Sequence, residues 1–181
     1  MTDVYGADPA GGNALAIVRA LSWLITRDAK VISISLVGPP DPVLAKAIGV
    51  VQARGAVIVA AVGNDGPAAP PSFPASYPGV LAVTGVDGRN RALIEAGRAL
   101  HLDYAAPGAG MVAANAAGRW VEVRGTSFAT PLVAARTPRA LADRGREWQA
   151  ALDQEEQDLG KKGPDKVYGR GLLCGNCRRS K

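Results

Sequence analysis

The sequence predicts an α/β fold built on a parallel β-sheet. Short β-branched segments at residues 31–36 and 56–62 are separated by a segment of helical periodicity at residues 41–55. Strands and helices that alternate at this spacing form β-α-β units with right-handed crossovers. With 181 residues, of which 48% are apolar, the chain is long enough to bury the core of one domain.

The first elements follow from local capping signals. Residues 1–12 are rich in Gly, Asp and Pro and are predicted to form a loop. Asn13 is predicted to cap a helix whose apolar residues share one wide stripe: Leu15, Ile17, Val18, Leu21, Trp23, Leu24 and Ile25. After the first strand, Asp41 should cap a second helix that has Pro42 at its first position and stops at Gly55.

Two more strands are predicted after the second one, at residues 80–86 and 100–105. A hairpin of two short strands is predicted next, at Met111–Ala114 and Trp120–Val123. A long helix that ends near Asp143 and a short surface helix at residues 147–159 complete the predicted elements.

Residues 125–131, Gly-Thr-Ser-Phe-Ala-Thr-Pro, are the stretch around which the chain is organised. We expect Thr126 or Ser127 to cap the helix that follows, and Gly125 to let the backbone come close to a bound group. A hydroxyl at a helix N-terminus lies in positive potential, which stabilises negative charge on a reacting oxygen. The alternative is an ordinary capped helix. Pro131 argues against it, because a proline inside a helix removes a donor and frees a carbonyl group.

These residues resemble the sequence around the nucleophile of the subtilisin-like serine proteases, the subtilases. Residues 57–66 resemble the family's strand that ends in Ala-Gly-Asn, and residues 165–172 resemble the Tyr-Gly-x-Gly end of its catalytic domain. The resemblance implies a three-layer α/β fold with a parallel β-sheet flanked by helices. It identifies residues 1–173 as the carboxyl-terminal two-thirds of a subtilase catalytic domain, truncated at the N-terminus.

The resemblance also implies a chemistry, the hydrolysis of peptide bonds through an acyl-enzyme on Ser127. Asn64 would donate its amide to the oxyanion, together with the Ser127 N–H and the Thr126 hydroxyl. The substrate would be a polypeptide in extended form, paired by its backbone with a segment that resembles the family's Ser-Leu-Gly-Gly. The residues implied to bind substrate are Ser35, Leu36, Val37, Gly38, Ala61, Gly63 and Gly125.

The substrate segment departs from the family at Val37, where glycine is usual. A β-branched side chain there is expected to narrow the pocket for the residue before the cleaved bond. Phe73-Pro74 resembles the family's Tyr-Pro dipeptide with a cis peptide bond, so we predict that the bond before Pro74 is cis.

The general base of the triad is not found in this sequence. By resemblance, Asp and His precede the serine, in a segment that would lie before the first residue here, and the only histidine, His101, matches a position without catalytic duty. A lysine base, at 161, 162 or 166, is a further alternative. The chain alone is therefore expected to be nearly inactive, and the strand at residues 31–36 to be a bare sheet edge open to an upstream segment or a second chain.

Two other functions remain alternatives to a serine endopeptidase. One is a non-catalytic peptide-binding or assembly module that keeps the cleft without the chemistry. The other, a nucleotide-binding domain, would rest on the Gly-Asn-Asp-Gly turn at residues 63–66, but no strand is followed by Gly-x-Gly-x-x-Gly or Gly-Lys-Ser/Thr.

Charge and length argue against nucleic-acid and membrane partners. The net charge is +5, but residues 161–181 carry +6 of it and the rest of the chain −1, without interleaved aromatic residues in the basic part. No apolar run approaches twenty residues, and residues 1–3 lack the basic start of a signal peptide. The sequence leaves the compartment open.

Cys174 and Cys177 form a Cys-x-x-Cys pair in what is predicted to be a basic tail, residues 174–181. No second pair and no nearby histidine complete a zinc site within one chain, so we favour a pair of thiols without a special role. Zinc shared between two chains is the alternative. No cofactor is expected; structural calcium is implied only by the family resemblance.

Overall fold

The computed structural model describes Val4 and residues 13–177. Its helices and strands, in chain order, are α1 (Ala14–Thr26), β1 (Val31–Ile34), α2 (Pro42–Ala53), β2 (Val57–Ala61), β3 (Leu81–Val86), β4 (Tyr104–Pro107), β5 (Met111–Ala114), β6 (Trp120–Val123), α3 (Thr126–Arg144) and α4 (Trp148–Glu155). The predicted loop at residues 1–12, apart from Val4, and the last four residues of the chain lie outside the described residues.

A four-stranded sheet in the order β1-β2-β3-β4 forms the centre of the fold, and all its neighbouring strands are parallel. Strand β2 lies inside this sheet and is buried along its whole length. Successive side chains of a strand point to opposite faces. Ile58 and Ala60 accordingly pack with α1 and α2, whereas Val57 and Val59 pack with α3 and α4. The predicted three-layer α/β architecture is confirmed.

The local signals at the first two helices are confirmed as well. The Asn13 side chain accepts a hydrogen bond from the Ala16 N–H at 2.9 Å, and Asp41 accepts one from the Leu44 N–H at 2.8 Å. Gly55 follows α2 with φ +81°, a conformation that favours glycine. These caps involve residues three apart, so they could be predicted from the local sequence.

The predicted strand at residues 100–105 is shifted toward the C-terminus, since β4 begins at Tyr104. The reason is the side chain of Asp103, whose carboxylate accepts the Ala82 N–H of β3 at 2.8 Å. That donor is then not free for a ladder bond to a longer β4. The predicted surface helix at residues 147–159 is shorter, a 3₁₀ turn at Gly145–Glu147 followed by α4. The hairpin strands β5 and β6 have the predicted bounds.

Cys174 and Cys177 form a disulfide, where the sequence favoured two thiols. The backbone just before them is anchored to the core, because the Leu173 N–H donates to the Ala105 carbonyl of β4 at 2.8 Å. A 3₁₀ turn at Gly175–Cys177 then brings the second sulfur back to the first. The Cys-x-x-Cys spacing permits a disulfide, but the sequence does not show that β4 anchors the backbone before it.

Candidate active site

The carboxamide of Asn64 lies at the N-terminus of α3. Its Oδ1 accepts a hydrogen bond from the Thr126 N–H at 2.9 Å. The helix therefore has Gly125 as its N-cap residue without a side-chain cap of its own, and the expectation that Thr126 or Ser127 caps it is wrong. Asn64, which follows β2, supplies the cap from 62 residues away. Because the Oδ1 faces the Thr126 N–H, the Nδ2 is the carboxamide atom that can donate a hydrogen bond to a ligand.

Gly125 permits this close approach. Its φ is +135°, and a Cβ at this position would lie 3.2 Å from Asn64 Nδ2 and 3.4 Å from Oδ1. Gly125 is itself fixed by its N–H, which donates to the Gly108 carbonyl at 2.8 Å. A side chain here would force the carboxamide away from the start of the helix.

Thr126 is fully buried, and its hydroxyl lies between two acceptors of the protein. The Oγ1 is 3.2 Å from the Gly63 carbonyl oxygen and 3.3 Å from Asn64 Oδ1. A hydroxyl has a single proton to donate. In this arrangement the proton is directed at the backbone or at the carboxamide of Asn64, which it helps to orient.

Ser127 is half-buried at the same helix end, and its hydroxyl makes no hydrogen bond to any of the described residues. Its N–H belongs to the first turn of α3, where backbone donors lack a partner within the helix. No described residue outside the helix accepts it. The Nδ2 of Asn64, an exposed residue, likewise has no acceptor within the described part of the chain. Two free N–H donors and one free hydroxyl thus meet at one helix N-terminus.

Pro131 leaves the carbonyl of Ser127 without its intrahelical donor, because proline has no N–H. The hydroxyl of Ser35, just beyond β1, donates to this carbonyl at 3.1 Å. The sequence identified Pro131 as unusual but did not reveal which group would use the carbonyl. The bond ties the segment expected to bind substrate directly to the helix that carries Ser127.

The segment after β1 has both free and occupied backbone groups. Leu36 is half-buried against the core, and neither its backbone groups nor those of Val37 bond to any described residue. Gly38, by contrast, exchanges two hydrogen bonds with Phe73, of 2.9 Å and 3.1 Å. The backbone available for an extended ligand therefore ends at Val37. The peptide bond between Phe73 and Pro74 is cis, as predicted.

The side chain of Val37 lies against Gly63, the residue before Asn64. Its side chain is 43% exposed, and its Cγ1 lies 3.1 Å from the position of a Cβ built on Gly63. Gly63 has φ +83° and is followed directly by Asn64. Ala61 is the last residue of β2 and is buried beneath this turn. The isopropyl group of Val37 thus fills part of the space between the two strand ends.

A cleft of about 270 Å³ adjoins this segment on the side of α1. Its apolar lining includes Leu36, Val37 and Phe73, together with Ile17 of α1 and Leu44 of α2. These side chains make the cleft mainly apolar.

Arg124 and Glu95 brace the turn that leads into α3. Their side chains form two contacts, of 2.8 Å and 2.6 Å. The hydrogen bond from Arg124 lowers the pKa of Glu95 and outweighs burial, which raises it. The Glu95 carbonyl also accepts the Gly66 N–H at 2.9 Å, so one residue holds both the turn after Asn64 and the approach to Thr126.

His101 lies away from these groups. Its Nε2 is 2.9 Å from the Val80 carbonyl oxygen and 3.5 Å from a carboxylate oxygen of Asp103, whose pKa is raised mainly by burial. Within the described part of the chain, no hydrogen bond or ion pair joins Ser127 to His101 or to a lysine. The structure therefore brings together Ser35, Gly63, Asn64 and residues 125–127, and it does not supply a base to Ser127.

Residues 13–177 hold no group of three or more His, Cys, Asp or Glu side chains arranged to bind a metal ion. None of the helices seen in this part of the chain is both long enough and apolar enough to cross a membrane.

Fold and site together define an α/β protein with a serine at a helix N-terminus beside an asparagine that follows a central strand. A model described as "Subtilase family" matches residues 2–171, so the chain belongs to the subtilase family. Subtilisin from Bacillus pumilus is 30% identical over 162 residues, which are 87% of this chain and 59% of that protein. Subtilisin E from Bacillus subtilis (strain 168) is 30% identical over 87% of this chain and 42% of its own length.

The solved structure of the prenylagaramide maturation protease PagA is similar to this chain with a TM-score of 0.80 and 27% identity. It covers 96% of this chain, which in turn covers 69% of that protease. The chain thus has the serine-protease fold of its family and spans between 26% and 59% of the first curated relatives that it matches.

Proposed function

We propose that the chain carries the nucleophile and the oxyanion-binding part of a serine-type endopeptidase. One observation carries this proposal: at the N-terminus of α3, the Ser127 hydroxyl, the Ser127 N–H and the Asn64 Nδ2 have no hydrogen-bond partner among the described residues. The N–H of the half-buried Ser127 would normally find a partner, whereas the Nδ2 of the exposed Asn64 is open to the solvent. Donors left free beside a hydroxyl suit an oxygen that a substrate brings.

In the proposed reaction Ser127 Oγ attacks the carbonyl carbon of the scissile peptide bond and gives its proton to a general base. The carbonyl oxygen becomes an oxyanion that accepts hydrogen bonds from the Ser127 N–H and the Asn64 Nδ2. The C–N bond then breaks, and the protonated amine leaves an acyl-enzyme. Water hydrolyses this ester and restores the serine. Thr126 orients Asn64 in this scheme and does not contact the oxyanion.

The base and its orienting carboxylate would come from an upstream segment or a second chain. The free edge of β1 supports this part of the proposal: β1 pairs only with β2 among the described strands, and Ser35 at its end already contacts the Ser127 helix. A strand added to this edge would end close to Ser127. Without that segment the hydroxyl remains unactivated, so we infer that the chain alone is nearly inactive.

The substrate would be an extended polypeptide that pairs with the free backbone of Leu36 and Val37. Because Val37 packs against Gly63, the space for the side chain before the scissile bond is small. We therefore propose a preference for Gly, Ala or Ser at that substrate position. The apolar cleft beyond Leu36 would receive an apolar side chain further upstream in the substrate.

The alternative function is a peptide-binding module without catalysis, and one observation favours it: no histidine or carboxylate among the described residues contacts Ser127. Treatment with a fluorophosphonate, followed by mass mapping, separates the two functions. The chain is expressed together with any in-frame sequence upstream of Met1, and Ser127→Ala is the control. The protease proposal expects a phosphonate adduct on Ser127 that is lost in the control. An unlabelled Ser127, with binding of extended peptides retained, supports the binding module.

A further inference from the structure

Beyond the serine site, the structure contains a second reactive group, the disulfide between Cys174 and Cys177. The two sulfurs differ in access to solvent. Cys174 is only 8% exposed and follows the core residue Leu173, whereas Cys177 is exposed at the end of a 3₁₀ turn. An incoming nucleophile therefore has easier access to Cys177 than to Cys174.

A cation lies against both sulfurs. The Nη2 of Arg136, on α3, is 3.7 Å from Cys174 Sγ and 3.5 Å from Cys177 Sγ. The same guanidinium is held by Glu155 at the end of α4, with Nη1 and Oε2 3.6 Å apart. A disulfide sulfur is a weak, neutral acceptor, so a positioned guanidinium gains little from it. The gain becomes large once one sulfur is a thiolate.

We propose that Cys174–Cys177 is a site of thiol–disulfide exchange that takes a dithiol as its reductant, with Arg136 stabilising the thiolates. A thiolate of the dithiol attacks Cys177 Sγ, forms a mixed disulfide and releases Cys174 as a thiolate beside Arg136. The second thiol of the dithiol, after losing its proton, attacks its own sulfur in the mixed disulfide and releases Cys177 as a thiolate. Two electrons pass to the protein, the two protons of the dithiol pass to the solvent, and the reductant becomes a cyclic disulfide.

This order of events follows from the geometry. The attacked sulfur is the exposed one, and the first leaving group is the buried one. A buried thiolate would be costly without a counter-charge. The guanidinium within 4 Å supplies that charge at the sulfur that leaves, and it remains close to the exposed sulfur that leaves second.

The test uses the full 181-residue chain. The protein is equilibrated with reduced and oxidised dithiothreitol, quenched with acid, and its thiols are counted by alkylation and mass spectrometry while circular dichroism monitors the fold. The reduced protein is then alkylated with iodoacetamide between pH 5 and 10. Arg136→Leu removes the charge, and Arg136→Lys retains a cation. Arg139→Leu is the matched control, because Arg139 lies on the same helix, is 81% exposed and pairs only with Asp143 among the described residues.

We expect the disulfide to be reduced reversibly in the folded protein. An opposite charge within 4 Å typically shifts thiol ionisation by about one pH unit or more. Removing Arg136 should therefore move the midpoint of Cys177 alkylation upward by about one pH unit and slow alkylation at pH 7 by about fivefold to tenfold. Arg139→Leu should change neither quantity, and Arg136→Lys should lie between the wild type and Arg136→Leu.

Three results would overturn the proposal. The first is the absence of the disulfide from protein purified in air. The second is a disulfide that resists dithiothreitol until the chain unfolds. The third is an alkylation midpoint that is the same in Arg136→Leu as in Arg139→Leu.

Discussion

Asn64 has two roles that a pair of substitutions can separate. Its Oδ1 caps α3 by accepting the Thr126 N–H, and its Nδ2 is the proposed donor to the oxyanion. Asn64→Ala removes both groups. Asn64→Asp keeps an acceptor in the same place but replaces the donor by a second acceptor. The two variants should therefore agree in activity and differ in stability.

The expected size of the stability effect follows from the burial of Thr126, which is 0% exposed. In Asn64→Ala the Thr126 N–H loses its acceptor where water cannot replace it, which costs about 2 kcal/mol of unfolding free energy. In a chain of this size that corresponds to a melting temperature about 4–8 °C lower. Asn64→Asp should stay within about 0.5 kcal/mol of the wild type, since a carboxylate at a helix N-terminus is favourable.

Urea unfolding followed by circular dichroism measures the first effect. The second is measured by the rate of fluorophosphonate labelling of Ser127 in the chain expressed with any in-frame sequence upstream of Met1. Loss of one oxyanion donor typically lowers turnover by about 100- to 1000-fold, a magnitude that comes from subtilisin itself. Equal destabilisation by both substitutions would show that the Thr126 bond is not the capping interaction. Wild-type labelling in Asn64→Asp would show that Nδ2 does not contact the reacting group.

Three further predictions concern the frame around the site. Gly97→Ala places a Cβ against the carbonyl oxygen of Val62, and should cost about 1–3 kcal/mol in urea unfolding. Tyr104→Phe removes a buried hydroxyl that donates to Asp153 at 2.6 Å, and should cost about 2 kcal/mol in the same assay. Burial raises the pKa of Asp87, but hydrogen bonds from the two arginines of its turn outweigh this and lower the pKa to about 2. Because the folded pKa lies below the unfolded one, this stabilisation is present above about pH 4 and is lost toward pH 2. Asp87→Asn should remove that acid-dependent loss of unfolding free energy, about 1 kcal/mol after solvent screening. An unfolding free energy that falls as steeply toward acid pH in Asp87→Asn as in the wild type would contradict this prediction.

The features that the sequence predicts well are those fixed by neighbouring residues. The caps at Asn13 and Asp41 join residues three apart, and the β5–β6 hairpin spans thirteen residues around a Gly118 with φ +71°. The continuous burial of β2 could also be expected from its run of apolar, largely β-branched residues in a parallel sheet. Such features need no knowledge of the rest of the chain.

The features that were missed depend on contacts between distant residues. The start of β4 is set by the hydrogen bond between the Asp103 side chain and Ala82 of β3, 21 residues away in sequence, and the cap of α3 comes from Asn64. The local sequence favours a capping threonine or serine. Neither caps α3, because the carboxamide of Asn64, which follows β2, accepts the Thr126 N–H. The family resemblance identified Asn64 and Ser127 as partners, but only coordinates show that the carboxamide also holds the helix in place.

Pro131 and Ser35 show how the proposed nucleophile and the proposed substrate segment are fixed to each other. A helix of nineteen residues gives up a backbone hydrogen bond at Pro131, close to its start, and the carbonyl released is that of Ser127. If the proline were only tolerated, this carbonyl would be left to solvent. Instead it accepts the hydroxyl of Ser35 at 3.1 Å, one residue before the free backbone of Leu36 and Val37. An extended ligand on that backbone would consequently be held at a fixed distance from Ser127, because the same hydrogen bond positions both. In the proposed acyl transfer, where small displacements of the reacting atoms cost large factors in rate, this coupling would favour attack by Ser127.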